Sequence, residues 1–301
     1  MLDFHIASPQ EKRDVFASVH GIWPHADDPE VHLEKRTHSI QHARAEWFVG
    51  VKAGELMTSC GAYPLRLYGP DGEREARGFG AVYTNPKFRG QGHAEALLRF
   101  VMAYYQNQKI EDFILFSDIA PAYYERIGFH LLPSWQWEIE AKALPVDSPW
   151  ALQKTQVLAE NPGNVSCDYG IQRSTSDDVW VLAKQGIPLR KTLFCNATDN
   201  RSLWIVSTRA GQIYSLLESN IPQDQEHWAL FSSLVAADSA KAKCRKARGW
   251  WAATPQGTAL SPNLSPRKDG ILMWTSSRGE TDPWLPQICR KAFRCFLSEQ
   301  F

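Results

Sequence analysis

Thr84-Asn85-Pro86-Lys87-Phe88-Arg89-Gly90-Gln91-Gly92-His93-Ala94, followed by Glu95-Ala96-Leu97-Leu98-Arg99-Phe100-Val101-Met102-Ala103-Tyr104-Tyr105, decides the fold of the first half of this 301-residue chain. Upstream, Gly78-Phe79-Gly80-Ala81-Val82-Tyr83-Thr84 reads as a strand that stops before Pro86. Downstream, Ala94, Leu97, Leu98 and Val101 fall at helical spacing. The whole is a strand, a short glycine-containing loop and a helix. Such a loop suits anionic oxygens, because the first N–H groups of a helix lack intrahelical partners and the helix dipole adds partial positive charge. Gly90 and Gly92 clear side chains from the backbone that a phosphate would touch, and Arg89 offers a charge-assisted bond. A glycine-rich loop before a helix also occurs as plain turn chemistry, so the loop alone leaves both readings open. The Walker pattern is absent, and the dinucleotide fingerprint lacks its third glycine.

Working outward, Ser8-Pro9-Gln10-Glu11 is a helix start with a capping box, continued by Val15, Phe16, Val19 and Ile22. A polar connector, Pro24 to Glu30, follows. Trp47–Val51 and Leu56–Leu67 read as strands, and Gly69-Pro70-Asp71-Gly72 as a turn. Beyond the helix, Phe113–Phe116 is a short buried strand. Pro121 opens a brief helix that Gly128 ends, and Leu131–Ile139 reads as another strand.

The stretch Thr84–Ala94 resembles motif A of the GNAT acyl-CoA N-acetyltransferases, whose loop reads [QR]-x-x-G-x-[GA]. Tyr123-Tyr124-Glu125-Arg126-Ile127-Gly128-Phe129 resembles the family's aromatic-Tyr-x-x-x-Gly-Phe helix and turn. The two motifs stand in the family's order with a strand between them, and the resemblance covers residues 1 to about 140. It implies an α/β fold, a mixed central sheet flanked by helices, and acetyl-CoA as cosubstrate. It also implies direct attack of a small molecule's primary amine on the thioester. By position, backbone groups of Val82, Tyr83 and Thr84 would bind the pantetheine arm, and the N–H groups of Arg89, Gly90, Gln91, Gly92, His93 and Ala94 the pyrophosphate. Tyr124 would protonate the departing thiolate; Tyr123 fits the spacing to Gly128 less well.

Departures from the family pattern bear on the site. Ala120 fits a cofactor-side position, whereas Ser117 replaces the usual Asn, so one cofactor hydrogen bond is lost or shortened. Two roles are open to Asp118: orienting the substrate amine, or capping the helix begun at Pro121. The strand 78–84 has no acid to act as base, and Glu73 and Glu75 precede it. Deprotonation then runs through ordered water or a group from the second half; the carboxylate at Phe301 is one such group, and a frayed tail is its alternative.

The second half is also α/β. Residues 177–184, 227–246 and 284–297 read as helices, 202–208 and 212–218 as a hairpin, and 270–274 as a late strand. The expected division is residues 1–142, a linker at 143–165, and 166–301 as a second, degenerate GNAT-like domain that walls the acceptor pocket. Arg248-Gly249-Trp250-Trp251 puts indoles where a second phosphate loop would need small residues, so one CoA site is expected. The Ser117-Asp118-Ile119 step and the tandem arrangement loosely resemble fungal lysine N6-acetyltransferase-like proteins.

Composition sets the outer limits. The 33 Lys+Arg balance 33 Asp+Glu, which argues against nucleic-acid and polybasic membrane partners. The balance hides a split: 15 basic and 20 acidic residues in 1–150, 18 and 13 in 151–301. No stretch approaches the roughly 20 apolar residues of a membrane span. Met1-Leu2-Asp3-Phe4-His5 carries an acid where an export signal carries a base, so a cytoplasmic chain with reduced thiols at its six scattered cysteines is expected. Six of nine histidines precede residue 43, yet no zinc-type spacing links them, so no metal is assigned. A monomer or homodimer is expected. The second reading is a non-catalytic acyl-CoA-binding sensor or scaffold on the same fold.

Overall fold

The computed structural model describes residues 2–156, 169–172, 190–221, 227–251, 263–289 and 293–294. The chain opens with β1 (Asp3–Ile6) and α1 (Pro9–Ser18). The capping box is present: Glu11 N–H donates to Ser8 Oγ at 3.3 Å and Ser8 N–H to Glu11 Oε2 at 2.8 Å. Asp28, at the end of the polar connector, caps α2 (Pro29–Thr37), and Ser39 caps α3 (Ile40–Arg44). Three antiparallel strands follow, β2 (Glu46–Lys52), β3 (Glu55–Gly69) and β4 (Gly72–Thr84). Then come α4 (His93–Gln106), β5 (Asp112–Ser117), α5 (Ala122–Glu125) and β6 (His130–Leu131).

α4 lays Leu97, Leu98, Val101, Met102 and Tyr105 onto the sheet against Phe48, Cys60, Phe113 and Phe129. At about 1.5–3 kcal/mol for each large apolar side chain buried, this face rather than helix propensity fixes α4.

The second half supplies β7 (Trp135–Glu140), β8 (Trp150–Gln156), β9 (Tyr169–Gln172), β10 (Arg190–Asn196), β11 (Ser202–Ala210) and β12 (Ile213–Ser219). α6 (Trp228–Lys241), β13 (Lys246–Trp251), β14 (Leu264–Pro266), β15 (Ile271–Ser276), α7 (Leu285–Ile288) and β16 (Phe293–Arg294) complete the described elements. The 202–218 hairpin stands as β11 and β12. The helix expected over 227–246 stops at Lys241 because β13 begins at Lys246. The helix expected over 284–297 is only α7 followed by β16, and residues 177–184 lie outside the described part.

Two mixed sheets result, ordered β1-β2-β3-β4-β5-β15-β6, with β9 and β16 on the flank of β3, and β14-β7-β13-β12-β11-β10-β8. They exchange strands. The stretch 131–139 is two strands: β6 stays with the first sheet, while β7 pairs with β13 in the second, Trp137 opposite Gly249. In return β15 is inserted between β5 and β6, with Trp274 opposite both Ile114 and His130. Sheet membership therefore does not follow a division at 142, and β8, inside the expected linker 143–165, is an edge of the second sheet. Packing enforces the exchange. The Trp137 indole lies so close over Gly249 that a Cβ there would come within 2.6 Å of it, and Trp274 is 1% exposed in the first sheet.

The unit β10-β11-β12-α6-β13 repeats β2-β3-β4-α4-β5: three antiparallel strands, a helix, and a strand parallel to the third, Tyr214 opposite Ala247 as Gly78 is opposite Ile114. By this order of elements the sequence counterpart of the phosphate loop is 220–227, of which 222–226 lie outside the described residues, whereas Arg248–Trp251 lies on β13. That connection contains no glycine in its sequence.

Candidate active site

β4 pairs in parallel with β5 only from Ala76↔Asp112 to Phe79↔Leu115. Beyond Phe79 the β3–β4 register shifts between Ser59↔Tyr83 and Gly61↔Gly80, and Ala81 takes φ +48°. This bulge turns β4 away from β5, so among the described residues 80–84 have no strand partner on that side. The gap opens into a cleft of about 380 Å³. Its walls include Gly80, Ala81 and Val82 of β4, Leu115 and Phe116 of β5, Asp118 and Tyr124. Tyr83 differs from Val82: its ring is buried and its carbonyl accepts Thr58 Oγ1–H at 2.6 Å.

At the end of β4, Asn85 Oδ1 accepts Lys87 N–H at 3.2 Å and sets a single 3-10 turn, Pro86–Phe88. Gly90 and Gly92 have φ +77° and +76°, and Gly92 is the N-cap of α4. A Cβ at either glycine would meet nothing within 4 Å, so the left-handed backbone and not crowding selects glycine. The loop presents the outward N–H groups expected of a helix start. His93 Nε2 is buried beside them with no hydrogen-bond partner among the described residues. Arg89 is exposed and its Nε–H donates to Thr84 O at 3.3 Å. An orphaned ring nitrogen next to a left-handed glycine cradle fits an oxygen-rich anionic group.

Tyr124, on the single-turn α5, is 8% exposed, with its ring edge-on to Tyr123 at 5.0 Å and to Phe129 at 6.1 Å. Gly128, at φ +98°, reverses the chain so that Phe129 N–H reaches Tyr124 O at 3.2 Å. Burial, reinforced by Tyr123, Cys60 and Asp118, holds the Tyr124 phenol well above its ordinary pKa, so it keeps its proton at neutral pH. Tyr124 lines the cleft, whereas Tyr123 packs under the Arg126 guanidinium.

The other expected residues spread out. Ser117 is buried, but its hydroxyl donates to Ile119 O at 2.8 Å and accepts Ile119 N–H at 3.2 Å, closing its own turn. Ala120 is exposed and its carbonyl accepts Tyr123 N–H. Asp118 does not cap α5, whose N-cap is Pro121; its Oδ1 accepts Gly270 N–H at 2.9 Å from just before β15. Glu73 and Glu75 are exposed on the far half of β4, away from the cleft. Phe301 lies outside the described residues.

The remaining wall was missed. It was expected from the second half; among the described residues it comes from 23–63, with Trp23, His25, Arg36, His42 and Tyr63. β15 instead fills a slot inside the sheet, and Gly270 touches Asp118 only through its backbone. His20 and His32 meet edge-on at 4.9 Å, His25 and His32 at 5.8 Å, and His25 and His42 at 5.7 Å. His32 Nδ1 accepts His25 N–H at 3.0 Å while its Nε2–H donates to Phe16 O at 2.8 Å, so this ring is neutral. A guanidinium only donates, so His42 Nε2 accepts from Arg36 at 3.3 Å and its Nδ1–H faces Tyr63 Oη at 3.1 Å. Partial burial, helped by the nearby Arg36, His32 and Lys35, pulls the His25 pKa down to about 4. The signal for this wall was the crowding of six histidines before residue 43, which spacing rules for metals do not capture.

A family model described as the acetyltransferase (GNAT) domain matches residues 3–132. Over those residues the chain carries a GNAT acetyltransferase domain. No curated protein matches the chain. Among solved structures, it is similar to a probable N-acyltransferase from Enterococcus faecalis (13% identity, TM-score 0.67, 91% of this chain and 72% of that one). A GCN5-related N-acetyltransferase from Anabaena variabilis is comparably close (14%, 0.64, 91% and 72%). A tandem GNAT protein from the clavulanic acid biosynthesis pathway spans almost the same extent (11%, 0.56, 92% and 98%). The fold is thus that of the GNAT acyltransferases with a second domain. Among the described residues no helix is long and apolar enough to cross a membrane.

Proposed function

We propose that this chain is an acetyl-CoA-dependent N-acetyltransferase acting on a primary amine of a small molecule. The observation that carries this reading is that β4, splayed from β5, runs on into the left-handed Gly90/Gly92 loop at the N-terminus of α4, while a proton-bearing Tyr124 lines the splayed gap. Bound acetyl-CoA would supply the activated acyl group. The N–H groups of residues 89–94 would hold its diphosphate, with His93 Nε2 gaining a partner, and the backbone of Val82 to Thr84, on the side not paired with β5, would align the amide arm. Tyr124 would donate its proton to the departing sulfur.

A cleft of about 380 Å³ lies in the size range of small-molecule sites and is small for a protein segment. An imidazole with a pKa of about 4 lies far below an alkylamine near ~10, so His25 cannot deprotonate an ammonium at neutral pH. In this reading the acceptor enters as free amine. Thiol release from acetyl-CoA across a panel of amines, with the acetylated product read by mass spectrometry, tests the proposal. Amine-dependent thiol release is expected; CoA binding without any acetylated product would favour the sensor reading.

A further inference from the structure

Arg36 on α2 is 3% exposed and lines the cleft. Of the five N–H groups of a guanidinium, two have acceptors here, His42 Nε2 at 3.3 Å and Trp23 O at 3.2 Å. Its Nε is buried with no hydrogen-bond partner among the described residues. Among those residues no carboxylate pairs with it, and burial is what most disfavours its charge. A buried, uncompensated guanidinium is expensive to fold, and such groups are ordinarily paired. What would pair with this one must arrive from the cleft.

The charges along the cleft are also separated. Asp118 acts on Tyr124, whereas Arg36 acts on His25 and Tyr63. One end is therefore anionic beside the proton donor, and the other is cationic beside the aromatic wall. We propose that Arg36 is the carboxylate clamp of the acceptor site, so that the acceptor is a small molecule carrying both an amine and a carboxylate, its amine directed to the Tyr124 end. This rests on the acyl-transfer reading of the same cleft. A planar fork with free N–H groups matches the two oxygens of a carboxylate. His42 is a positioning residue here: by accepting one N–H it fixes the plane of the fork, and its own orientation is held through Tyr63.

The test is equilibrium binding by calorimetry to the whole chain with CoA present, using amino acids paired with their decarboxylated amines (lysine with 1,5-diaminopentane, phenylalanine with phenylethylamine, and so on). At least one amino acid is expected to bind on the order of ten- to a hundredfold tighter than its paired amine, the range of a charge-assisted bond. Arg36→Gln is expected to bring that ratio to within about twofold of one, and Arg36→Lys, which keeps the charge without the fork, to remove most of it. Should Arg36→Gln fail to fold, the same preference is read on the unaltered protein as a larger rise in Tm with the amino acid than with the amine. Equal binding of both members of every pair, no binding of any carboxylated probe, or an unchanged ratio in a folded Arg36→Gln overturns the clamp. Turnover measured in parallel separates the two readings. Binding of an amino acid without acetylation refutes acyl transfer and leaves the clamp standing; acetylation of amines with no carboxylate preference does the reverse.

Discussion

Arg74 of β4 grips both carboxylate oxygens of Asp282 at 3.0 Å, across 208 residues of sequence. Its guanidinium also lies over the Trp284 ring at 3.7 Å, and Trp284 donates its indole N–H to Asp71. Asp282 is 1% exposed, and Arg278 and Asp112 complete the cluster. This pair locks the segment after β15 onto the first sheet. Arg74→Met leaves two buried carboxylates with Arg278 alone, and removing one partner of a buried pair costs about 3–5 kcal/mol. Chemical denaturation should show that loss; a change under about 1 kcal/mol would mean the cluster is not holding the halves together.

The strand exchange makes a second expectation concrete. A fragment of residues 2–142 contains the whole family match but lacks β15, which sits between β5 and β6. It exposes the edge of β5 along six paired positions, Asp112 to Ser117, and the apolar face that Trp274 covers. Such a fragment should aggregate or melt without cooperativity, as read by near-ultraviolet circular dichroism. A sharp, native-like melt would show that the first sheet does not need the second half.

The buried histidines predict an acid-sensitive fold. His32 is 0% exposed, and burial lowers its pKa below the ordinary 6.5; His25 falls to about 4. A folded pKa below the unfolded one means that the unfolded chain binds more protons, so stability is full above about pH 6.5 and falls as pH drops toward 4. Glu11, lowered to about 2, acts in a lower window, since its contribution is present above pH 4.5 and fades toward 2. Tm measured from pH 7.5 to 4.5 should fall, and His32→Gln should flatten that slope. Parallel slopes for the two proteins would contradict the assignment.

The rate should follow the acceptor. Tyr124 stays protonated through the neutral range, and His25 is already neutral there. Log kcat/KM should therefore climb with pH at a slope near one up to the pKa of the acceptor amine, without an inflection near 6.5. An inflection there that disappears in His25→Gln would instead make His25 the base.

Legibility in the sequence tracked the range of the interaction. The capping box at Ser8 and Glu11, the Gly90/Gly92 loop, the apolar face of α4 and the β11–β12 hairpin are each fixed by residues a few positions apart, and each reads directly. The destination of β7 and β15 does not, because their partners lie more than a hundred residues away and the strand pattern is the same in either sheet. Asp118 is a similar case: its neighbours suggest a helix cap, but its bond goes to Gly270. The Arg36–His42 wall stayed hidden for another reason. Its residues are held by packing across α2, α3 and β3, which leaves no fixed spacing to recognise.

In the proposed acetyl transfer to an amine, Tyr124 hands its proton to the departing thiolate. Steady-state thiol release by Tyr124→Phe, with CoA affinity measured on the same preparation, tests it most directly. We expect kcat to fall by about 10²–10⁴-fold, the range for loss of a positioned acid, while the CoA Kd stays within about twofold. Unchanged kcat, or a parallel loss of turnover and CoA affinity, would contradict it.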